Sequence, residues 1–274
     1  MVMKKRFLVL IDFSPGSADL LRYAYDWSRV VHAEILLVHH TTLLLPLFTE
    51  HDNKLALKKM AKDEALEKLK KFAKETLSDT TRIQYLVSEA PLLSVLSKAL
   101  KEPFEHLVFL GLKGAGVLKK IFIGSTAIRV IENTPAIVAA IPLHVERFSA
   151  EKIYVAINDR NLLNIIGFNR FLQFIENKTG QLIFFSLTKP EDDITSVERY
   201  LQDLRDMYKN TRDTSYEIYS GANLFENIKS VINNKTAELL VLQKGSRLLS
   251  DHYFRKFVIN ELVYDGETPL IVLP

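Results

Sequence analysis

Apolar residues along this chain gather in short, nearly unbroken runs separated by longer amphipathic stretches. The first five runs are FLVLI (7–11), ILLV (35–38), IQYLV (83–87), HLVFL (106–110) and AIVAAI (136–141). They do not alternate polar and apolar positions, so they read as strands buried on both faces, as in a parallel sheet. Helical patterns lie between them. Ser14-Pro15 supplies an N-cap residue and a first-turn proline for one helix. A long amphipathic segment follows over about residues 52–78, and a shorter one after Pro91. Strands alternating with helices predict a doubly wound α/β domain.

The pattern then restarts. IYVAI (153–157), LIFFSL (182–187), YEIY (216–219), LLVL (239–242) and LIVL (270–273) repeat five strands in the same order. EHLVFL (105–110) corresponds to ELLVL (238–242), and TPAIVAAIP (134–142) to TPLIVLP (268–274). A period this long implies two tandem domains of one fold rather than a solenoid. The sequence therefore predicts an α/β chain of two doubly wound domains, each a five-stranded parallel sheet flanked by helices. Their expected bounds are 1–145 and 150–274, with a linker around LHVERFSAE (143–151). Ligands of such sheets sit beyond the carboxyl ends of the strands, where strand order reverses. In the first domain the residues to read are therefore Asp12 and Ser14, His39 and His40, Ser88 and Glu89, and Gly111 onward.

Composition narrows the functional classes. The chain has 274 residues, 47% hydrophobic and 25% charged, with a mean hydropathy of +0.04 and no cysteine. A disulfide framework, a cysteine zinc site and a thiol nucleophile are excluded, which fits a reducing cytoplasm. No run approaches the roughly 20 apolar residues of a membrane span. The basic start MVMKKR precedes an apolar run that ends at Asp12, too short for a signal-peptide core. A net charge of +3 argues against nucleic acid as partner. Residues 1–147 carry 21 Lys and Arg against 16 Asp and Glu, and the remainder 15 against 17, so the first half is the better host for an anion.

Four of the ten glycines fall in GLKGAGVLKKIFIGST (111–126). The Walker loop GxxxxGK[ST] fits Gly111 and Gly116, but Val117 and Leu118 replace its lysine and hydroxyl. The dinucleotide fingerprint fits Gly114 and Gly116 but meets Lys119 at its third glycine, and it follows a fourth strand. A third pattern, GxxGx(9)G[ST], is complete from Gly111-Leu112-Lys113-Gly114 to Gly124-Ser125. Gly111 and Gly114 let the backbone turn at a strand end and approach a ligand. Gly124-Ser125 opens a helix, whose unpaired N–H groups and positive dipole end favour a phosphate. Ser125 and Thr126 add hydroxyl donors, and Lys113 adds charge.

This glycine pattern, with IDFS (11–14) and LLVH (36–39), resembles the nucleotide-binding signature of the universal stress protein family. The resemblance implies ATP, with magnesium on its phosphates, bound in the first domain. Asp12 would meet the ribose or base, Leu110 and Gly111 the nucleoside, and Lys113 and Gly114 the phosphates. Gly124, Ser125 and Thr126 would hold the triphosphate. The chain departs from the common pattern at Leu10, in place of a proline or alanine, and at His40, in place of a valine. His40 either stacks on adenine or narrows its pocket. In this family the fifth strand pairs domains, which implies AIVAAI and LIVL as contacts between the halves, and a homodimer through fifth-strand edges.

The second domain does not repeat the pattern. QKGSRLLSDHYFRKFVINELV (243–263) holds one glycine, Gly245, and Val258-Ile259 stand where Gly124-Ser125 would be. Lys244, Arg247, Arg255 and Lys256 leave a basic surface, but the reading is a degenerate site. His39 and His40 are adjacent on a strand and point to opposite faces, so they cannot chelate one metal. A GxSxG elbow is absent, and Ser88-Glu89 and Pro142 stand where a response-regulator receiver needs its Asp and Lys. Residues 54–77 suit a crossover helix packed through Leu57, Ala61, Ala65, Leu69 and Ala73 better than a membrane-surface helix. PEDDITSVERYLQDLRDMYKN (190–210) is its acidic counterpart, and TLLLPLF (42–48) caps the cleft or meets a partner. The sequence thus predicts a cytoplasmic, ATP-binding regulatory or stress-resistance protein with at most weak ATP hydrolysis. A slow ATPase and a nucleotide-free scaffold are the alternatives.

Overall fold

The computed structural model describes residues 3–42, 51–112, 125–157, 162–175, 180–188, 192–220, 238–244 and 268–274. In the first half, β1 (Lys4–Leu10), α1 (Ser17–Val31), β2 (Glu34–His40), α2 (His51–Thr76) and β3 (Ile83–Ser88) are followed by α3 (Leu92–Ala99), β4 (Phe104–Gly111), α4 (Ser125–Asn133) and β5 (Ile137–Ile141). The second half contributes β6 (Lys152–Ala156), α5 (Ile165–Leu172), β7 (Gln181–Thr188), α6 (Thr195–Tyr208), β8 (Thr214–Ser220), β9 (Glu238–Gln243) and β10 (Leu270–Leu273). Each apolar run read from the sequence is a strand. TLLLPLF beyond Thr42, Lys113, Gly114, Gly124, Arg247 and the Val258-Ile259 pair lie outside the described residues.

The ten strands of the described residues share one sheet, in the order β3-β2-β1-β4-β5-β10-β9-β6-β7-β8. Within each half every pairing is parallel. The second half repeats the order of the first in mirror sequence across the centre. There β5 and β10 run antiparallel, with Leu270 opposite Ala140 and Val272 opposite Val138. The expected contact between fifth strands is therefore made inside one chain. It corrects the expectation of a homodimer through those edges, because both edges of β5 and of β10 are already hydrogen-bonded.

Side chains alternate between the faces, as the pleat requires. Phe7 and Val9 enter a core beneath α1, α2, α5 and α6, while Leu8 enters a second core beneath α3 and α4. On the first face an aromatic group ties the halves together. Phe148, in the connecting segment, stacks on Trp27 of α1 at 4.3 Å and 8°, and Trp27 donates its indole N–H to the Phe174 carbonyl at 2.7 Å. Burying that donor with its acceptor avoids the cost of an unpaired indole.

Two helices differ from expectation. The first starts at Ser17, capped by Gly16, rather than at Ser14-Pro15. Phe13 takes a left-handed φ of 57°, and the Asp12 carboxylate accepts the Ser14 N–H at 3.0 Å, so the chain turns once more before helix geometry begins. In α2, Leu69 and Ala73 are fully buried as expected, but Leu57 is 41% exposed, and Leu55 and Met60 are exposed beside it. The helix packs through its C-terminal half, because its 26 residues outrun the 6- and 7-residue strands it covers.

Trp27 is the chain's single tryptophan, so its fluorescence reports on this junction. Phe148→Ala is expected to remove about 2 kcal/mol of stability, read as a lower urea midpoint of the tryptophan red shift. An unchanged midpoint would show that the stacked pair does not hold the halves.

Candidate functional site

In the first half, sheet order reverses between β1 and β4: β2 and β3 lie to one side of β1, β4 and β5 to the other. Loops leaving the carboxyl ends of β1 and β4 therefore diverge and open a crevice. A cavity of about 650 Å³ fills it, within the range of small-ligand pockets. Its floor is apolar, with Leu10, Val38, Leu110 and Leu112 from the strands and Leu92 and Leu93 from α3. Polar groups come from His40 at the end of β2 and from two helix starts. One is Asp12, Ser14, Gly16 and Ser17 at the beginning of α1, and the other is Thr126 and Arg129 on α4.

Asp12 is exposed at the cavity and holds the loop in shape. One carboxylate oxygen accepts both the Ser14 N–H and the Ser17 hydroxyl, each at 3.0 Å. A carboxylate at this point also stabilises the positive end of α1. His40 stands exposed on the cavity wall, whereas His39 turns to the opposite face. There its ring lies 4.6 Å from that of Phe13, and Nδ1 donates to the Ile11 carbonyl at 2.8 Å. That carbonyl can only accept, which fixes the proton on Nδ1.

Gly111 ends β4 as expected, but not because the backbone demands glycine. Among the described residues a Cβ there would meet Leu20 Cδ2 alone, at 3.7 Å, an ordinary contact, and its φ is not positive. What glycine leaves at this position is open space on the cavity wall. Gly16 answers a tighter constraint: a Cβ there would lie 2.1 Å from Leu143 Cδ2. Leu143 belongs to the connecting segment and forms another part of the wall. That segment is pinned on α1, where Asp19 accepts the His144 N–H at 3.2 Å, Arg22 bridges Asp19 and Glu146, and Asp26 accepts the Phe148 N–H.

Of the residues anticipated from sequence, Asp12, His40, Leu110, Gly111 and Thr126 line this one cavity. Ser125 is the first residue of α4, as expected for the helix opening. Arg129, Ser17, Gly16 and Leu143 were not anticipated. Arg129 was within reach of the helical period, since it follows Thr126 by three positions on one face. Leu143 carried no local signal, because only the folding-back of the linker brings it here.

A sequence profile of the universal stress protein family matches residues 3–142, just over half of the chain. The protein belongs to the universal stress protein family. Among solved structures, a universal stress protein from Archaeoglobus fulgidus DSM 4304 is similar in fold, with 16% identity and a TM-score of 0.67. The alignment covers 98% of this chain and 97% of that one. A protein of unknown function from Pseudomonas aeruginosa PAO1 follows the same fold at 14% identity and a TM-score of 0.57, over 99% of this chain and 92% of its own. No curated protein sequence matches the chain. Among the described residues, no helix is long and apolar enough to cross a membrane.

The two halves of this universal stress protein differ at the corresponding crevice. Gly111 pairs with Ile141 in β5, and the next amide, Leu112 N–H, bonds the Ile141 carbonyl. In the second half Gln243 pairs with Leu273, and Lys244 N–H bonds the Leu273 carbonyl. Gln243 is therefore the structural counterpart of Gly111. Its side chain is held by the segment that leads into α5: Oε1 accepts the Asn164 N–H, and Nε2 donates to the Leu162 carbonyl at 3.0 Å. Asn164 in turn caps α5 through the Gly167 N–H and donates to the Pro274 carbonyl at 3.3 Å. Lys244, which the sequence placed on a basic surface, instead reaches across to the first half. Its ammonium donates to the Thr134 carbonyl at the end of α4, and burial pushes its pKa down.

Asp12→Ala is expected to cost about 1–2 kcal/mol, since a buried hydroxyl and an amide lose their shared acceptor. Gly111→Ala should stay within about 1 kcal/mol of wild type, on the stabilising side, because the unfolded chain loses freedom while the fold has room. Urea denaturation of the two variants checks both. A large loss in Gly111→Ala would show that glycine is needed there for the fold itself.

Proposed function

We propose that this universal stress protein binds ATP, with magnesium on the phosphates, in the first-half crevice, and holds the nucleotide rather than turning it over. The observation that carries the reading is the cavity at the switch point, which joins an apolar floor, a carboxylate with hydroxyl neighbours and the start of α4. An adenine suits the floor beneath Val38, Leu110 and His40, and ribose hydroxyls suit the Asp12 end. Phosphates suit the α4 end, where Ser125 and Thr126 open the helix, Gly124 precedes it in sequence, and Lys113 and Gly114 follow β4 in sequence. The cavity's carboxylate, Asp12, is already hydrogen-bonded to the loop that leads into α1, a positioning role rather than that of a free general base.

The bounds 1–145 and 150–274 separate a nucleotide-binding half from one without a nucleotide. Supporting this is Gln243, whose side chain stands at the position where Gly111 has none. Regulation by nucleotide occupancy in the cytoplasm is the role that follows for the whole chain.

Small molecules released from the purified full-length protein should include an adenine nucleotide, and calorimetric titration with Mg-ATP should give a single site per chain. Gly111→Leu and Gly124→Val should each weaken ATP by about tenfold or more, because both side chains intrude where the ligand approaches. Absence of both a carried nucleotide and any heat of ATP binding would overturn the reading. Steady turnover of about 1 s⁻¹ or faster, the range of ordinary enzymes, would replace it with a catalytic one.

A further inference from the structure

We propose that Arg129 reads the phosphate chain of the ligand, so that the site selects nucleoside polyphosphates over nucleosides and monophosphates. The inference rests on the nucleotide reading of the crevice and adds a residue outside the glycine pattern.

The argument is one of charge. Among the described residues, Asp12 is the acidic and Arg129 the basic side chain lining the cavity, His40 aside. Asp12 marks a negative pole, and its carboxylate already serves the Ser14 N–H and the Ser17 hydroxyl at the start of α1. That helix start is therefore partly neutralised and is a poor place for a second anion. Arg129 comes from a different helix, one turn into α4, on the face that also brings Thr126 and Val130 to the cavity. Its guanidinium makes no ion pair with any described residue, unlike Arg6 and Arg22, which are each held by carboxylates.

A guanidinium on the wall of a mostly apolar cavity, with no carboxylate partner among the described residues, is a place where a ligand phosphate can supply the anion. The planar fork offers two parallel N–H donors to two phosphate oxygens, a match that a lysine ammonium does not reproduce. A ligand laid along this cavity has its hydroxyl-bearing body beside Asp12, because an anion there would meet the carboxylate. Its charged tail then extends toward Arg129. A nucleoside carries no anion for Arg129, whereas a phosphate chain does. Exposure of Arg129 to solvent limits the gain to a modest factor rather than the large one of a buried pair.

The test is calorimetric titration of the full-length protein with ATP, AMP and adenosine, for wild type, Arg129→Gln and Arg129→Lys. Wild type should bind ATP more tightly than AMP or adenosine. Arg129→Gln should weaken ATP by about tenfold, the value of one charge-assisted contact, while adenosine affinity and the melting temperature stay unchanged. Arg129→Lys should recover part of the loss. Equal ATP affinity in wild type and Arg129→Gln would overturn the proposal and leave the nucleotide reading standing. So would an equal loss for ATP and adenosine. Failure of wild type to bind any of the three would overturn both.

Discussion

The parallel pairing of β1 with β4 is the constraint on which the site depends. Six residue pairs, from Lys4 with Phe104 to Val9 with Phe109, fix the two strands side by side and in register. Chain connectivity sends their following segments to opposite sides of the sheet, since β2 lies beyond β1 and β5 beyond β4. Backbone cannot fill the gap between diverging loops, so the crevice is a consequence of strand order and not of any particular loop sequence. What fills or opens it is decided by the side chains at the strand ends. Gly111 places no side chain there in one half, and in the other Gln243 is hydrogen-bonded to Asn164 and Leu162.

The second organising contact is the antiparallel pairing of β5 with β10, which turns two five-stranded sheets into one of ten strands. It satisfies two edges that would otherwise expose unpaired amides and carbonyls. The same junction is closed on one face by Trp27, Phe148 and Phe174, and on the other side by Lys244, which bonds the carbonyl following α4. A cation at the carboxyl end of a helix is electrostatically favourable. The second half thus supports, at its far end, the very helix whose start faces the cavity.

Much of the fold was legible because buried parallel strands leave a strong mark. FLVLI and LIVL have no polar face to show, and no helix pattern produces so short an unbroken run. Helix ends were less legible. Ser14-Pro15 has the chemistry of a helix start, yet Asp12 competes for the Ser14 amide and delays α1 to Ser17. The exposed Leu55, Leu57 and Met60 were also invisible in advance, since periodicity reports which residues share a face but not whether a partner reaches that far. In the site, residues that directly follow strands were findable from topology alone. Leu143 was not, because its place depends on a linker folding back onto α1.

Sequence by itself determined the strand and helix alternation, the internal duplication and the glycine pattern after β4. These rest on local chemistry: apolar runs, helix-capping residues and the absence of side chains at Gly111, Gly114 and Gly124. Tertiary structure alone decided that the halves join through β5 and β10 within one chain, that Gly111 ends its strand without a positive φ, that Gln243 stands where Gly111 does in the first half, and that Arg129 lines the first-half cavity. Those outcomes depend on residues far apart in the chain meeting across the sheet. No local pattern encodes which side chain will occupy a space that two distant segments enclose.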